Sequence, residues 1–280
     1  MNDFHQFATS HGLIVDSLIA GRITRCSTVT HPHKRNGALY FDGEWGWAQD
    51  WSTMPEIALW KDDKPRTPEQ QKQLSDRIEA SRVAYAKERK ERQLKAAAKA
   101  EWILSQAEYA PHDYLKAKGF KDEIGLVWHK SEDESLLCIP MKVGSDVVGV
   151  QMVDQTGSKR FLTGQRCSGA EFVMGNSGQS WICEGYATGL SLRVALRGMR
   201  FNIHIAFSAG NMAKIAVHHP DAYIVADHDL SGTGERIARS TGLPYWMPPE
   251  VGHDFNDFAR SVGVFQSSQA IKKFLTCHPR

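Results

Sequence analysis

Trp181-Ile-Cys-Glu184-Gly-Tyr-Ala-Thr-Gly189 runs from a short apolar segment straight into an acidic residue, a glycine and a helix-compatible stretch. The same order recurs in Ala222-Tyr-Ile-Val-Ala-Asp227-His-Asp229-Leu-Ser-Gly232, and again where Pro244-Tyr-Trp-Met leads to Gly252-His-Asp254-Phe-Asn256-Asp257. A further apolar run lies at 203–207. Apolar runs this short, bounded by turn residues, read as strands, and the segments 188–197, 209–217 and 234–240 read as helices between them. Strands alternating with helices predict an α/β fold, a parallel, doubly wound sheet with helices on both faces. In such a sheet ligands bind beyond the carboxyl ends of the strands. Glu184, Asp227, Asp229 and Asp254 are therefore expected to converge there.

Carboxylate oxygens are hard ligands suited to Mg²⁺ or Mn²⁺, which in turn hold phosphates. A carboxylate gathered among others has a raised pKa, which suits proton transfer near neutral pH. A lone Asp-x-Asp is an ordinary loop or helix-cap feature. Three acidic sites, each directly after an apolar strand, make a stronger pattern. His228, between the two aspartates, is expected to pack or face solvent rather than meet a metal, and Cys183 reads as core.

Upstream of this region, 111–177 reads as a second compact unit with strands at 136–140 and 147–153 around a turn containing Gly144. The stretch 66–110 is almost free of Gly and Pro and rich in Ala, Lys, Arg, Glu and Gln, so it reads as a basic helical connector. Its Lys87, Arg89, Lys90 and Arg92 are candidate contacts to a nucleic-acid backbone, or a solvated face. Residues 1–65 read as a small β-rich module with a short helix at 13–19; Gly37 to Phe41, Asp42-Gly43 and Trp45-Gly-Trp47 are strands around a tight turn. Trp45, Trp47, Trp51 and Trp60, near Arg22, Arg25, Lys34 and Arg35, are expected mostly as core, with one or two free to stack on bases.

The formal net charge of +2 gives no overall electrostatic signature, so any nucleic-acid surface must come from local clustering. Five cysteines lie far apart without a Cys-x-x-Cys pair, which fits a reducing compartment better than a disulfide framework. Cys26, His31 and His33 have the wrong spacing for a zinc ribbon, so zinc is not expected as a cofactor. No run is long enough to span a membrane and the N-terminus lacks signal-peptide character, so a cytoplasmic protein without a membrane partner is expected.

The three acidic motifs, with Ser208-Ala-Gly-Asn211 between them, resemble the Toprim domain of primases and topoisomerases, and are most similar to primases of plasmids, satellite phages and integrative mobile elements. Asp113-Tyr-Leu-Lys-Ala-Lys-Gly119, Ile139-Pro140 and Lys159-Arg-Phe-Leu162 resemble the N-terminal subdomain of bacterial primase cores. The resemblance covers roughly residues 102 to 262, and implies that 178–280 is a Toprim catalytic domain and 111–177 the primase-core subdomain. It further implies Glu184 as general acid/base, Asp227, Asp229 and Asp254 as ligands of Mg²⁺ or Mn²⁺, and DNA-primase activity in the replication of a mobile element. Lys159, Arg160 and Arg166 are candidates to grip nucleotide or DNA phosphates, or are the solvated charges of an exposed hairpin. The implied partners are a single-stranded DNA template, ribonucleoside triphosphates and a separate replicative helicase or other replication protein. Two positions depart from the family pattern: Thr188 stands where many bacterial primases carry a further acidic residue, and Asn256 where their last motif has a second aspartate. A Toprim nuclease, or an inactive single-stranded-DNA-binding accessory protein, would carry the same fold.

Overall fold

The computed structural model describes residues 3–33, 35–51, 53–54, 56–175 and 177–279, so Lys34 lies outside the described residues. The chain divides into two compact units, 1–86 and 87–280.

The first unit opens with α1 (Asp3–Ser10) and continues through β1 (Leu13–Ile14), β2 (Thr24–Thr28), β3 (Gly37–Phe41), β4 (Trp45–Asp50) and β5 (Ala58–Lys61). The strands form one antiparallel meander in chain order. Asp42 makes the β3–β4 turn, its Oδ1 accepting from the backbone N–H of Glu44 and Trp45, each at 3.1 Å. The helix expected at 13–19 is not there. Instead Leu13 and Ile14 pair with Ser27 and Thr28 of β2, and the helix precedes them. Gly12, at φ 81°, ends α1 in the left-handed conformation open to glycine, and Leu13 and β-branched Ile14 then extend. Phe4 of α1 stacks on Phe41 at 4.8 Å over one part of the sheet, while Trp45 and Trp47 pack with Leu74 and Ile78 in a separate cluster. Trp60 is half-buried and Trp51 is exposed beneath the Arg25 guanidinium, 3.8 Å from its ring centroid.

Leu74 and Ile78 belong to α2 (Pro68–Ser105). Its start is fixed by reciprocal capping: the Gln70 backbone N–H donates to Thr67 Oγ1 at 3.3 Å, and Gln70 Oε1 accepts from the Thr67 N–H at 2.9 Å. The helix ends five residues before the expected boundary at 110, because Glu108–Pro111 is claimed by strand pairing as β6. Tertiary hydrogen bonding overrides local helix propensity there.

In the second unit, β6 is followed by α3 (Asp113–Ala117), β7 (Ile124–His129), β8 (Ser135–Val143), β9 (Asp146–Val153) and β10 (Lys159–Phe161), and these strands form an antiparallel sheet in chain order. Ala100 and Ile103 of α2 pack on Leu136, Cys138, Val150 and Met152 of that sheet. The rest of the unit comprises β11 (Phe172–Gly175), β12 (Gln179–Cys183), α4 (Tyr186–Ala195), β13 (Phe201–Ile205), α5 (Ala209–Ala216), β14 (Tyr223–Val225), α6 (Thr233–Ser240), β15 (Tyr245–Trp246) and α7 (Phe255–Cys277). The strand order is β11-β13-β12-β14-β15, with β12 to β15 parallel and β11 an antiparallel edge.

Alternation along these strands separates two cores, as expected for a sheet covered on both faces. Trp181, Cys183, Ile203, Ile205, Tyr223 and Val225 share one with Leu190 of α4 and with Phe255, Ile271 and Phe274 of α7. Ile182, Ala206, Ile224 and Ala226 share the other with Met212 and Ile215 of α5 and Ala238 of α6. Gly263, at φ 84°, breaks α7 into two segments. Among the described residues no helix is long and apolar enough to cross a membrane.

Candidate active site

The chain leaves β12 toward β13 on one side and returns, through α5, to β14 on the other, so β12 and β14 flank the point where the strand order reverses. Cys183 pairs with Val225, so Glu184 and Asp227 emerge from neighbouring parallel strands at the same end. This is the crevice position for a ligand in an open α/β sheet.

The two carboxyl groups are partly buried, and each is harder to ionise than in water. Burial is the main reason that the Glu184 pKa is raised; the Lys159 cation opposes it, Asp229 and Asp254 add to it, and the backbone N–H of Ala209 at the start of α5 eases ionisation. For Asp227, burial and then the charges of Glu184 and Asp254 push the pKa up to about 7, against the pull of Lys159. Asp227 Oδ1 is buried with no hydrogen-bond partner. A buried carboxylate oxygen left unpaired is costly, and a bound cation would satisfy it.

Asp229 is held differently. Its Oδ1 accepts from the backbone N–H of Ser231 at 2.9 Å and of Thr233 at 3.2 Å and from the Ser231 hydroxyl; its Oδ2 accepts from Gly234 N–H at 2.7 Å. Burial opposes its ionisation, but these bonds outweigh burial and lower the pKa. Gly234 permits this closeness, since a Cβ there would lie 2.2 Å from the Asp227 carbonyl oxygen. Asp254 caps α7: its carboxylate accepts from the Asp257 N–H at 2.9 Å, and Asp257 accepts from the Asp254 N–H at 3.3 Å.

Beside these groups lies an open cleft of about 400 Å³, lined by Lys118, Lys159, Thr188, Asp254 and Arg260 among others. Tyr114 and Lys118 lie within the Asp113–Gly119 segment that resembles primase cores, but neither they nor Arg260 is marked as a site residue by the sequence. Of the basic residues expected to grip phosphate, Lys159 lines the cleft. Its neighbour Arg160 is paired with Glu134 at 3.4 Å and Asp154 at 3.3 Å. Arg166 is exposed and donates from Nε to the Ser168 carbonyl at 3.1 Å. Lys87, Arg89, Lys90 and Arg92 are exposed along α2, with Arg92 3.8 Å from Glu88.

The two departures from the family pattern have separate physical settings. Thr188 is buried, with its hydroxyl unpartnered beside the cleft. Asn256 is a buried tie, donating to the Lys118 carbonyl at 3.0 Å and to Ser191 Oγ at 2.9 Å, which joins the end of α3 to α4. His228 donates from Nδ1 to the Pro248 carbonyl at 2.9 Å, and Cys183 is fully buried with its thiol pKa raised by burial.

The carboxylates suit a hard divalent cation that keeps much of its water, since such an ion uses one or two carboxylates plus substrate phosphates. They are not gathered tightly enough to cage an ion. Among the described residues, the group of three potential ligands with atoms within 4.8 Å of one another is Glu171, His204 and His219.

No family model matches the chain, and no curated protein does. Solved structures similar to it include the primase fragment of the bacteriophage T7 primase-helicase protein, at 12% identity and TM-score 0.39, covering 54% of this chain and 66% of that one. A DNA primase domain from Pseudomonas aeruginosa aligns at 15% identity and TM-score 0.35, covering 52% of this chain and 51% of that one. The DnaG catalytic core aligns at 12% identity and TM-score 0.35, covering 67% and 71%. This chain thus spans just under two thirds of the T7 fragment and about half of the Pseudomonas domain. Likenesses of this strength are too weak to carry an activity across.

Proposed function

We propose that the chain is a metal-dependent DNA primase of a mobile element, joining ribonucleotides into short primers on single-stranded DNA. The observation that carries this reading is the pair Glu184 and Asp227 on adjacent strand ends, both with raised pKa, beside a cleft bearing Lys118, Lys159 and Arg260. The acidic motifs that resemble Toprim primases supply the reaction class.

In this reading the 3′-hydroxyl oxygen of one nucleotide attacks the α-phosphorus of the next triphosphate, and pyrophosphate leaves. Glu184, whose pKa is raised by burial, takes the hydroxyl proton. Lys159, Lys118 and Arg260 hold the triphosphate by charge-assisted contacts. Mg²⁺ or Mn²⁺ held by Asp227 and Asp254, with Asp229 as a further carboxylate, would supply charge neutralisation at the phosphates. The direct test is incubation of the protein with single-stranded DNA, ribonucleoside triphosphates and Mg²⁺, followed by sizing of products. New short RNA supports the reading. Shortened DNA would replace it with a nuclease, and unchanged DNA without RNA with a binding protein.

Strand alternation in β10 makes Lys159 and Arg160 a matched pair for a second test. Lys159→Gln is expected to raise KM for the triphosphate roughly ten- to a hundredfold, the loss of a charge-assisted bond worth about 1.5–3 kcal/mol. Arg160→Gln removes the same charge from a group already paired with carboxylates, and should leave KM near that of the unaltered protein. Equal effects of the two, in steady-state kinetics, would mean that general charge and not the cleft is responsible.

The exposed cations of α2 are assigned in the same reading to the nucleic-acid backbone. Replacing Lys87, Arg89, Lys90 and Arg92 with Gln keeps helix propensity. Binding to single-stranded DNA should weaken, and the slope of log affinity against log salt should flatten by about 0.7 for each phosphate that the helix no longer neutralises. An unchanged slope would make this stretch a spacer.

A further inference from the structure

A second group of ligand-type side chains lies in the same sheet and takes no part in the nucleotidyl-transfer reading. Glu171 directly precedes β11, His204 sits on β13, and His219 lies in the turn between α5 and β14. Glu171 Oε2 is 2.8 Å from His204 Nδ1, and the other ring nitrogen of His204 is 3.4 Å from Ser180 Oγ. The His219 ring lies against the His204 ring, with centroids 4.1 Å apart. His204 is buried and the other two are partly so. The backbone fixes all three: Glu171 exchanges hydrogen bonds with Lys142 at 2.8 and 2.9 Å, His204 lies inside the sheet, and His219 is held by bonds to Ala216 and from Ala222, each at 3.0 Å. An open groove of about 370 Å³, lined in part by Ser180, His218, His219 and Asp221, reaches the cluster.

We propose that Glu171, His204 and His219 form a binding site for a first-row transition-metal ion of the zinc class. Two imidazoles and one carboxylate are a donor set such ions favour, and are softer than the all-oxygen set at the strand ends, which suits Mg²⁺. The distances are close to those required. Ligand atoms about 2.0–2.1 Å from a tetrahedral ion lie about 3.3 Å from one another. The Glu171–His204 pair, now at hydrogen-bond distance, opens slightly as the ion replaces the proton between them, and the rest of the adjustment falls on His219, which sits in a turn beside the groove. The ion takes the place of the proton on Nδ1 of His204. The ring then carries its proton on Nε2, where Ser180 Oγ accepts it, the kind of supporting hydrogen bond that orients a metal-bound imidazole. The groove leaves a fourth position open to water.

A hydrogen bond that merely satisfies a buried histidine would explain Glu171 and His204. It gives no reason for a second imidazole against the first, at the end of a groove. Bound there, the ion joins three segments distant in sequence: the start of the edge strand, an interior strand and the α5–β14 turn. The inference is independent of the carboxylate site.

The test uses the full chain, freed of metal by chelator dialysis and titrated with Zn²⁺ in excess Mg²⁺ by calorimetry, with Co²⁺ as a spectroscopic substitute. One equivalent of Zn²⁺ should bind, the thermal midpoint should rise, and Co²⁺ should give visible bands of a nitrogen- and oxygen-ligated ion. Glu171→Gln and His219→Phe, each folded by circular dichroism, should each weaken Zn²⁺ binding by more than about a hundredfold, beyond the 10–100-fold effect of supporting residues. Absence of binding to the unaltered chain, or native affinity in either folded variant, overturns the proposal. Thiolate charge-transfer absorption in the Co²⁺ form would assign the ion to the exposed Cys167 or Cys277, and overturn it equally.

Discussion

Glu184→Gln is expected to lower primer synthesis by roughly 10²–10⁴-fold, the usual worth of a positioned proton-transfer group. The substitution keeps the shape of the side chain and removes its ability to take a proton. Glu184 is also one of the charges that raise the Asp227 pKa. Removing it should ease ionisation of Asp227, so Mg²⁺ binding near neutral pH should be retained or strengthened while synthesis is lost. Calorimetry with Mg²⁺ and a primer-synthesis assay on the same preparation separate the two effects. Joint loss of metal binding and activity would make Glu184 a ligand, and a native rate would remove it from the chemistry.

Asp227→Asn should produce a protein that is more stable without metal and inactive with it. The folded pKa of Asp227 is raised from 3.8 to about 7. Between those values the native state binds the proton that the unfolded chain releases. The stability contribution is therefore complete below about pH 4 and is lost as pH rises through about 7. Above neutrality the metal-free protein carries an unfavourable buried charge, on the order of a few kcal/mol for a shift of this size. Asparagine removes that charge. At about pH 8 in chelator, the thermal midpoint of Asp227→Asn should exceed that of the unaltered chain, and at about pH 4 the two should agree. Mg²⁺ should raise the midpoint of the unaltered chain at about pH 8 and leave the variant unmoved. Asp229→Asn should behave in the opposite way, losing roughly 1–2 kcal/mol in the absence of metal, because its carboxylate is a hydrogen-bond acceptor for the turn before α6. A variant at 227 that is less stable than the unaltered chain at about pH 8 would show that Asp227 is a structural group like Asp229.

The parallel part of the sheet is readable because each strand is a short apolar run that stops at an acidic residue or a turn, and a helix-compatible stretch follows it. The same regularity is enough to set Glu184 and Asp227 at the carboxyl ends of parallel strands, while the order that makes those strands neighbours comes from the crossover past β13. Local pattern says less where distant pairing decides. Residues 106–110 have no breaker to end the connector helix, yet β6 takes Glu108–Pro111 out of it. Leu13 and Ile14 are neutral between helix and strand until Ser27 and Thr28 are beside them. The cleft cations show the same limit. Lys159 and Lys118 each lie in a recognisable segment, but Arg260 of α7 does not, and Lys118 and Arg260 meet only through packing at the α3 end, where Gly119 lies against the Arg260 side chain. Glu171, His204 and His219 are invisible in the sequence for the same reason: their spacing matches no metal motif, and pairing of β11 with β13 brings the first two together. Nor does sequence distinguish two aspartates one residue apart, although one has an unpartnered oxygen and the other has its oxygens bonded.

The strand order has a consequence for how the chain is made. The central strand β12 acquires its neighbour β13 soon after it leaves the ribosome, but its other edge waits for β14. During synthesis at about 5–20 residues per second, that edge, with Trp181, Ile182 and Cys183, stays open for a few seconds until Tyr223 to Val225 emerge. An unpaired apolar strand is a template for pairing with another nascent chain. Slow translation between these two strands would lengthen the exposure, and yield of soluble protein is therefore tied to the codons that encode the α5 region as well as to the stability of the finished fold.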